Sequence, residues 1–344
     1  MRTEPGRRVV AAQPLILGEM PSLSKLYINA AAQAARRRLL GTADSSHLPE
    51  ESHEVRGVAV DVANLTAYQH LLGETASDVL PAGFVHALAF PLAMSVMNRD
   101  DFPLPLLGMI HLGNRVEQRV PLLFTEALDI TARVENLRGH RSGTQVDVVA
   151  EVRKSGSDAV CWLGVSTYLA KGIFLPGIDK PSAHHGKPDF RAPDPTALWQ
   201  LGVDAGRAYA AVSGDFNPIH LSVLSAQALG MRRSIAHGMY LASRALADVG
   251  PARGDSFIWE VGFEAPVFLP ARVALDISTE QDGTGGWHRS DFVAWNPRSG
   301  RRHFTGSVAA LERTAAGTGS EGSGKATPGP AETGVSGLVQ EERV

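Results

Sequence analysis

The 344-residue sequence predicts an α+β protein made of two successive repeats, each a set of antiparallel strands preceded by a helix. Three observations carry this expectation. The first is strict alternation. In "ALDITARVEN" Leu128, Ile130, Ala132 and Val134 alternate with Asp129, Thr131, Arg133 and Glu135; "QVDVVAEVR" continues the pattern through Val146, Val148, Ala150 and Val152, and "RVALDISTE" repeats it with Val273, Leu275 and Ile277. Such alternation marks half-buried antiparallel strands. The second is a helix-compatible apolar stretch ahead of each strand set, "HALAFPLAMSVMNR" from His86 and "HGMYLASRALADV" from His237. The third is order: the segment Val55 to Ala170 and the segment Trp199 to Glu312 follow the same sequence of elements. Short stretches align between them, "AYQHLLGE" (Ala67 to Glu74) with "AYAAVSGD" (Ala208 to Asp215), and "VPLLFTEALDI" (Val120 to Ile130) with "FLPARVALDI" (Phe268 to Ile277).

Taken in order, residues 1–54 form an N-terminal extension with one helix. In "SLSKLYINAAAQAARRRLLG" Ser22 caps the start, Leu23, Leu26, Tyr27, Ala30, Ala31 and Ala34 supply an apolar face, and Gly41 stops it. Arg36 to Arg38 suit the negative end of its dipole. Residues 55–174 are the first repeat, where Pro91 should interrupt the helix. Residues 175–197, "LPGIDKPSAHHGKPDFRAPDP" up to Pro195, read as a Pro- and Gly-rich linker, with His184 and His185 solvated rather than ligands. The second repeat spans 198–314. The tail 315–344, built of Gly, Ser, Thr, Ala, Pro and Glu, is expected to be disordered.

Composition narrows the function classes. A hydrophobic content of 44% with 20% charged residues fits a soluble globular chain, and 33 basic against 36 acidic side chains, without a block of like charge, excludes a nucleic-acid binder. The single cysteine, Cys161, lies in "AVCWLGVSTYLA" and is expected to be a buried, inert thiol, consistent with a reducing compartment. Arg7-Arg8 followed by "VVAAQPLILG" makes a poor export signal, since the apolar run is short and broken by Gln13 and Pro14. No apolar run approaches the ~20 residues that span a bilayer. A cytoplasmic location without membrane insertion is expected.

The chemistry concentrates in "YAAVSGDFNPIH", Tyr209 to His220, where Asp215 and His220 stand five residues apart across a Phe-Asn-Pro-Ile turn. Gly214 permits an unusual backbone angle, Asn217 favours a turn and Pro218 fixes its own φ, so the two side chains can converge. A carboxylate and an imidazole that share one water are equipped for general acid–base catalysis, worth ~10²–10⁴-fold. The same residues also suit an Asx-type turn with an exposed histidine. Downstream, "SVLSAQALG" (Ser222 to Gly230) reads as a short helix and a longer one starts at His237-Gly238. The Gly238 N–H at that helix N-terminus can stabilise a developing oxyanion; the glycine can equally serve close packing.

"YAAVSGDFNPIHLSVLSAQALG" together with "AHGMYLASRAL" resembles the signature of the MaoC-like dehydratases and R-specific enoyl-thioester hydratases. The resemblance covers most of Val55 to Arg313 and implies a double hot-dog fold, two curved antiparallel sheets each wrapped around a central helix. It implies Asp215 and His220 as the catalytic pair, Asn217 positioning the water or holding the turn, and Gly238 supplying the oxyanion N–H. The implied reaction is reversible syn addition of water to a trans-2-enoyl thioester, giving the (3R)-hydroxyacyl thioester, with no cofactor and no metal. The first half lacks the Asp and the Asn-Pro-x-His turn, since Gly214-Asp215 corresponds there to Gly73-Glu74, so no second active site is expected. "MIHLGNRVEQ" resembles a stretch of two-repeat relatives, in which His111 is structural or lines the substrate path.

The substrate partner is then an acyl-CoA or an acyl carrier protein thioester, with Arg207, Arg232 and Arg233 as possible contacts to the carrier phosphates or as ordinary surface residues. A homodimer is a possible assembly. Two rivals are a hot-dog thioesterase, which the Asn-Pro-x-His turn argues against, and a non-catalytic acyl-binding subunit, which an intact Asp-His pair argues against. A first half released from chemistry should also leave an acyl tunnel, lined by Leu88 and Leu92.

Overall fold

The computed structural model describes residues 13–40, 47–181 and 190–311. The Arg7-Arg8 stretch, His184-His185 and the tail 315–344 lie outside these residues. The elements are β1 (Leu15–Leu17), α1 (Leu23–Leu40), β2 (His53–Val58), α2 (Val62–Leu72), α3 (Ala82–Met97), β3 (Ile110–Gln118), β4 (Leu128–His140), β5 (Gly143–Lys154), β6 (Val160–Lys171), β7 (Ala197–Leu201), α4 (Ala205–Ser213), α5 (Pro218–Leu221), α6 (Val223–Ala228), α7 (Gly238–Val249), β8 (Phe257–Phe263), β9 (Ala271–Gln281), β10 (Trp287–Trp295) and β11 (Arg302–Ala310). The alternating segments are strands as expected, and α1 takes the bounds that Ser22 and Gly41 indicated.

All strands join one sheet in the order β1-β2-β4-β5-β6-β3-β8-β11-β10-β9-β7. Leaving β1 aside, this order reads the same from both ends. Each half places its first, third, fourth, fifth and second strands side by side, and the second strands, β3 and β8, meet antiparallel from Gly113↔Gly262 to Gln118↔Phe257. Both halves also carry two helices ahead of their main strands, α2 and α3 in one, α4 and α7 in the other. The aligned stretches 67–74 and 208–215 are the ends of α2 and α4, which both stop at a left-handed glycine, Gly73 and Gly214. This is the double hot-dog.

The central helices explain why the core is continuous. Helix α3 is buried on nearly every side, from Ala82, Phe84 and Val85 through Leu92, Val96 and Met97. A helix apolar all round belongs inside a sheet, and α7 buries Met239, Tyr240, Leu241, Ala242, Ala245 and Leu246 in the same way. Pro91 does not interrupt α3, contrary to expectation; the helix runs through it. The interior proline costs about 3 kcal/mol, and burial of the flanking apolar side chains, roughly 1.5–3 kcal/mol each, outweighs it. Cys161 is buried and unpaired, as its apolar setting predicted. No helix among the described residues is long and apolar enough to cross a membrane.

Candidate active site

The turn after α4 is built by its own sequence. Gly214 ends the helix at φ 73°, a left-handed angle that a glycine adopts without strain. Ser213 Oγ accepts the Asp215 N–H at 3.3 Å, and Asp215 Oδ1 accepts the Asn217 N–H at 3.2 Å. Asn217 Oδ1 then accepts the Ile219 N–H at 3.3 Å and caps α5, whose first residue is Pro218. Asn217 therefore holds the turn. Gly206 of α4 has a second function, because a Cβ there would stand 2.0 Å from the His220 carbonyl oxygen; its absence lets α4 run against the backbone of the His220 turn.

A second strip of chain closes over the turn from the other side. Ser234 to Ala236 run beside Val267 to Leu269 through the Ala236 N–H to Val267 O and Leu269 N–H to Ser234 O bonds, both 2.9 Å. Ile235 also donates its N–H to Ile219 O at 3.1 Å and accepts from His220 Nδ1 at 2.8 Å. A carbonyl only accepts, so Nδ1 carries the proton. Neutral His220 consequently presents Nε2 as a lone pair.

His237, which caps α7, stacks on His220 with ring centroids 3.6 Å apart. Its Nε2 donates to the Asp215 carbonyl at 3.0 Å and lies 3.7 Å from Oδ2, while its buried Nδ1 has no hydrogen-bond partner. Burial drives the His237 pKa down to about 3, assisted by the neighbouring His220 and opposed by Asp215. Burial also lowers that of His220, against the upward pull of Asp215 and of the Ile235 bond. Both rings are thus neutral at pH 7. Oxygen and nitrogen atoms of Asp215, His220 and His237 lie within 4.8 Å of one another, and among the described residues this is the cluster close enough to share a cation.

Other expected residues sort by position. The Gly238 N–H is at the first turn of α7, while a Cβ there would meet the Phe263 ring at 3.0 Å. The packing role of this glycine is thus visible in its contact with Phe263, and its N–H lies at the helix N-terminus. Arg207 and Arg233 line a cleft of about 380 Å³ with Ser222 and Ser234, the Arg207 guanidinium donating to Leu221 O at 3.0 Å. Arg232 is exposed and outside that lining. His111 stacks on Tyr168 at 4.6 Å and faces Phe263 at 5.1 Å, its buried Nε2 without a partner; burial takes its pKa down to about 3.

In the first half, the space beside α3 is small. A cavity of about 10 Å³, room for one water, lies between α3 and the sheet and is lined on the helix by His86, Ala89, Phe90 and Ala93. Leu88 and Leu92 do not line it, and Leu92 is fully buried. Glu74, the counterpart of Asp215, is buried and faces Arg253 at 3.7 Å. The first half has kept a carboxylate but engaged it in an ion pair.

Two contacts of Asp215 fall outside the expected set. His237 stands in the "AHG" stretch, where only the glycine had a stated role. Tyr27 of α1 donates its hydroxyl to Asp215 Oδ1 at 2.7 Å across 188 positions of sequence. The helix itself was legible, but nothing local connects that side chain with the turn.

Comparison with known proteins gives consistent relatives. The family profile described as "MaoC like domain" matches residues 179–293. The chain is 36% identical over 268 residues to 3-hydroxyacyl-thioester dehydratase X of Mycobacterium tuberculosis, covering 78% of this chain and 92% of that protein. It is 36% identical over 82 residues to the (R)-specific enoyl-CoA hydratase of Aeromonas caviae, 23% of this chain and 61% of that one. Among solved structures, HtdX of Mycobacterium tuberculosis superposes with a TM-score of 0.64 at 33% identity, covering 76% of this chain and 100% of the other. A MaoC-like dehydratase of Phytophthora capsici shares the fold at a TM-score of 0.57 and 18% identity, over 76% and 95% of the two chains.

Proposed function

The chain belongs to the MaoC-like dehydratase family, and on that premise we propose that it is a hydro-lyase interconverting trans-2-enoyl thioesters and (3R)-hydroxyacyl thioesters in fatty-acid metabolism, with Asp215 and His220 as its acid–base pair. The observation that carries the site assignment is the His220 Nδ1 bond to Ile235 O, which leaves a neutral ring with an accepting Nε2 beside a carboxylate. In the hydration direction both groups start as proton acceptors, so a water between them is held by two hydrogen bonds. One of the pair takes a proton as the water oxygen bonds to C3, and the C2–C3 π electrons move onto the thioester carbonyl. The enolate oxygen sits at the Gly238 N–H, where the helix dipole favours negative charge. The same group then returns its proton to C2 as the enolate collapses. Delivery from one face accounts for syn addition, and all atoms and charges balance without a redox partner.

The cleft at Arg207 and Arg233 is suited to the carrier's phosphates, since both guanidinium groups stand beside the Ser222 and Ser234 strips that enclose His220. Arg232 lies outside the lining of that cleft. Buried, unpaired Cys161 fits action in the reducing cytoplasm.

The test is enzymatic. Asp215→Asn and His220→Ala should each lower kcat for loss of enoyl absorbance by at least ~10²-fold, with circular dichroism and melting unchanged. Wild-type turnover by either folded variant would remove that residue from the chemistry. Release of free thiol from a saturated acyl-CoA would instead favour the thioesterase reading.

A further inference from the structure

Helix α1 belongs to neither repeat, yet it is fixed across both. Its start is pinned by β1, which pairs in parallel with β2 from Leu15↔His53 to Leu17↔Val55. Further on, Gln33 Nε2 donates to Asn98 O at 2.9 Å and to Asp100 Oδ1 at 3.2 Å, just beyond the end of α3. Between these anchors, Leu23 is buried against Gly214, where a Cβ would lie 3.4 Å from Leu23 Cδ1. Tyr27 follows four residues later on the same helix face, so its hydroxyl arrives at the next residue of the turn, Asp215.

We infer that Tyr27 is a positioning residue for the reaction, holding Asp215 Oδ1 so that Oδ2 is the oxygen left to work. The inference rests on the reading of Asp215 as the reacting carboxylate. Oδ1 accepts both the Tyr27 hydroxyl at 2.7 Å and the Asn217 N–H at 3.2 Å, whereas among the described residues Oδ2 has only the His237 nitrogen at 3.7 Å. Rotation of the carboxyl group is otherwise soft, and a short O–H···O⁻ bond is among the stronger hydrogen bonds available to stop it. Burial, then the charge of Asp215, raises the phenol pKa far above its ordinary value of 10, so Tyr27 donates at every working pH and never competes as a base. The titratable groups facing Asp215 are Tyr27 from α1, Tyr209 from α4, His220 from α5 and His237 at the start of α7, with Tyr168 of β6 and His86 of α3 in electrostatic reach. Of these, Tyr27 is the one whose side chain donates a hydrogen bond to the Asp215 carboxylate within 3.5 Å.

Tyr27→Phe removes the donor and keeps the ring. In the full chain, with trans-2-octenoyl-CoA as substrate, kcat should fall about ten-fold with KM within about two-fold, as expected for loss of a charged hydrogen bond. Tyr27→Phe combined with Asp215→Asn should be no slower than Asp215→Asn alone, since the tyrosine acts through the carboxylate. Leu23→Ala, which loosens α1 without touching the donor, should lower the melting temperature and leave kcat near that of the wild type. A wild-type rate in Tyr27→Phe, an additive loss in the double variant, or an equal loss of kcat in Leu23→Ala would each overturn the inference. Wild-type activity in Asp215→Asn would instead overturn the site reading beneath it.

Discussion

Lowering the pH from 7 to 5 should cost the protein about 2 kcal/mol of stability through His86 alone. His86 is buried on α3, its ring facing Phe90 at 6.1 Å, His111 at 6.3 Å and Trp162 at 6.5 Å. Burial takes its pKa from the ordinary 6.5 down to about 4, with Asp215 pulling it back upward. As the pH falls below about 6.5 the unfolded chain binds a proton at this ring, and the folded chain does not until about 4. The unfolded state therefore holds the extra proton in this window. Stability is complete above the window and is lost progressively as the pH descends through it. One proton over ~1.5 pH units, at ~1.36 kcal/mol each, gives the ~2 kcal/mol. Urea unfolding followed by tryptophan fluorescence at pH 7 and pH 5 measures it, with His86→Leu as the reference. The variant's loss between the two pH values should be smaller than that of the wild type by about 2 kcal/mol. Equal losses would show that His86 is solvated or already charged in the folded protein.

Two further outcomes concern substrate recognition. Ala93→Leu, which narrows the gap between α3 and the sheet, should reduce kcat/KM for trans-2-octenoyl-CoA more than for crotonyl-CoA, because each buried methylene is worth ~0.8 kcal/mol. Equal reductions would place the acyl chain elsewhere. Arg233→Ala should raise KM for enoyl-CoA about three-fold without lowering kcat, and high salt should erase the difference, as exposed charges behave; an unchanged KM at low salt would take the cleft out of the carrier's path.

What could be read in advance follows the range of the interactions. The Asp215 to His220 turn was legible because its ingredients, a left-handed glycine, an Asn cap and a Pro at the first helical position, act within a few residues. The alternating strands and the start of α7 were legible for the same reason. Tyr27 was placed on the correct helix, but its bond to Asp215 is a property of how α1 lies on the finished sheet. His237 holds a backbone carbonyl, a role for which no residue type is diagnostic. Which face of α3 borders the cavity is not legible in the sequence, because a helix buried on nearly every side has no amphipathic stripe to reveal its orientation. Strand β1, three residues long, is set by its pairing with β2 rather than by its own pattern.

The β3–β8 seam has a consequence for inheritance as well as for architecture. In a symmetric pair of identical subunits every substitution appears twice, so a change that suits one copy must be tolerated by the other. Here the two related halves are encoded in tandem, and each position can drift alone. That freedom is visible where Glu74 retires into an ion pair with Arg253 while its counterpart Asp215 stays available. Tethering also means that the partner half is always present at the ~mM effective concentrations typical of short linkers, so extreme dilution cannot strip the catalytic half of the strand beside it.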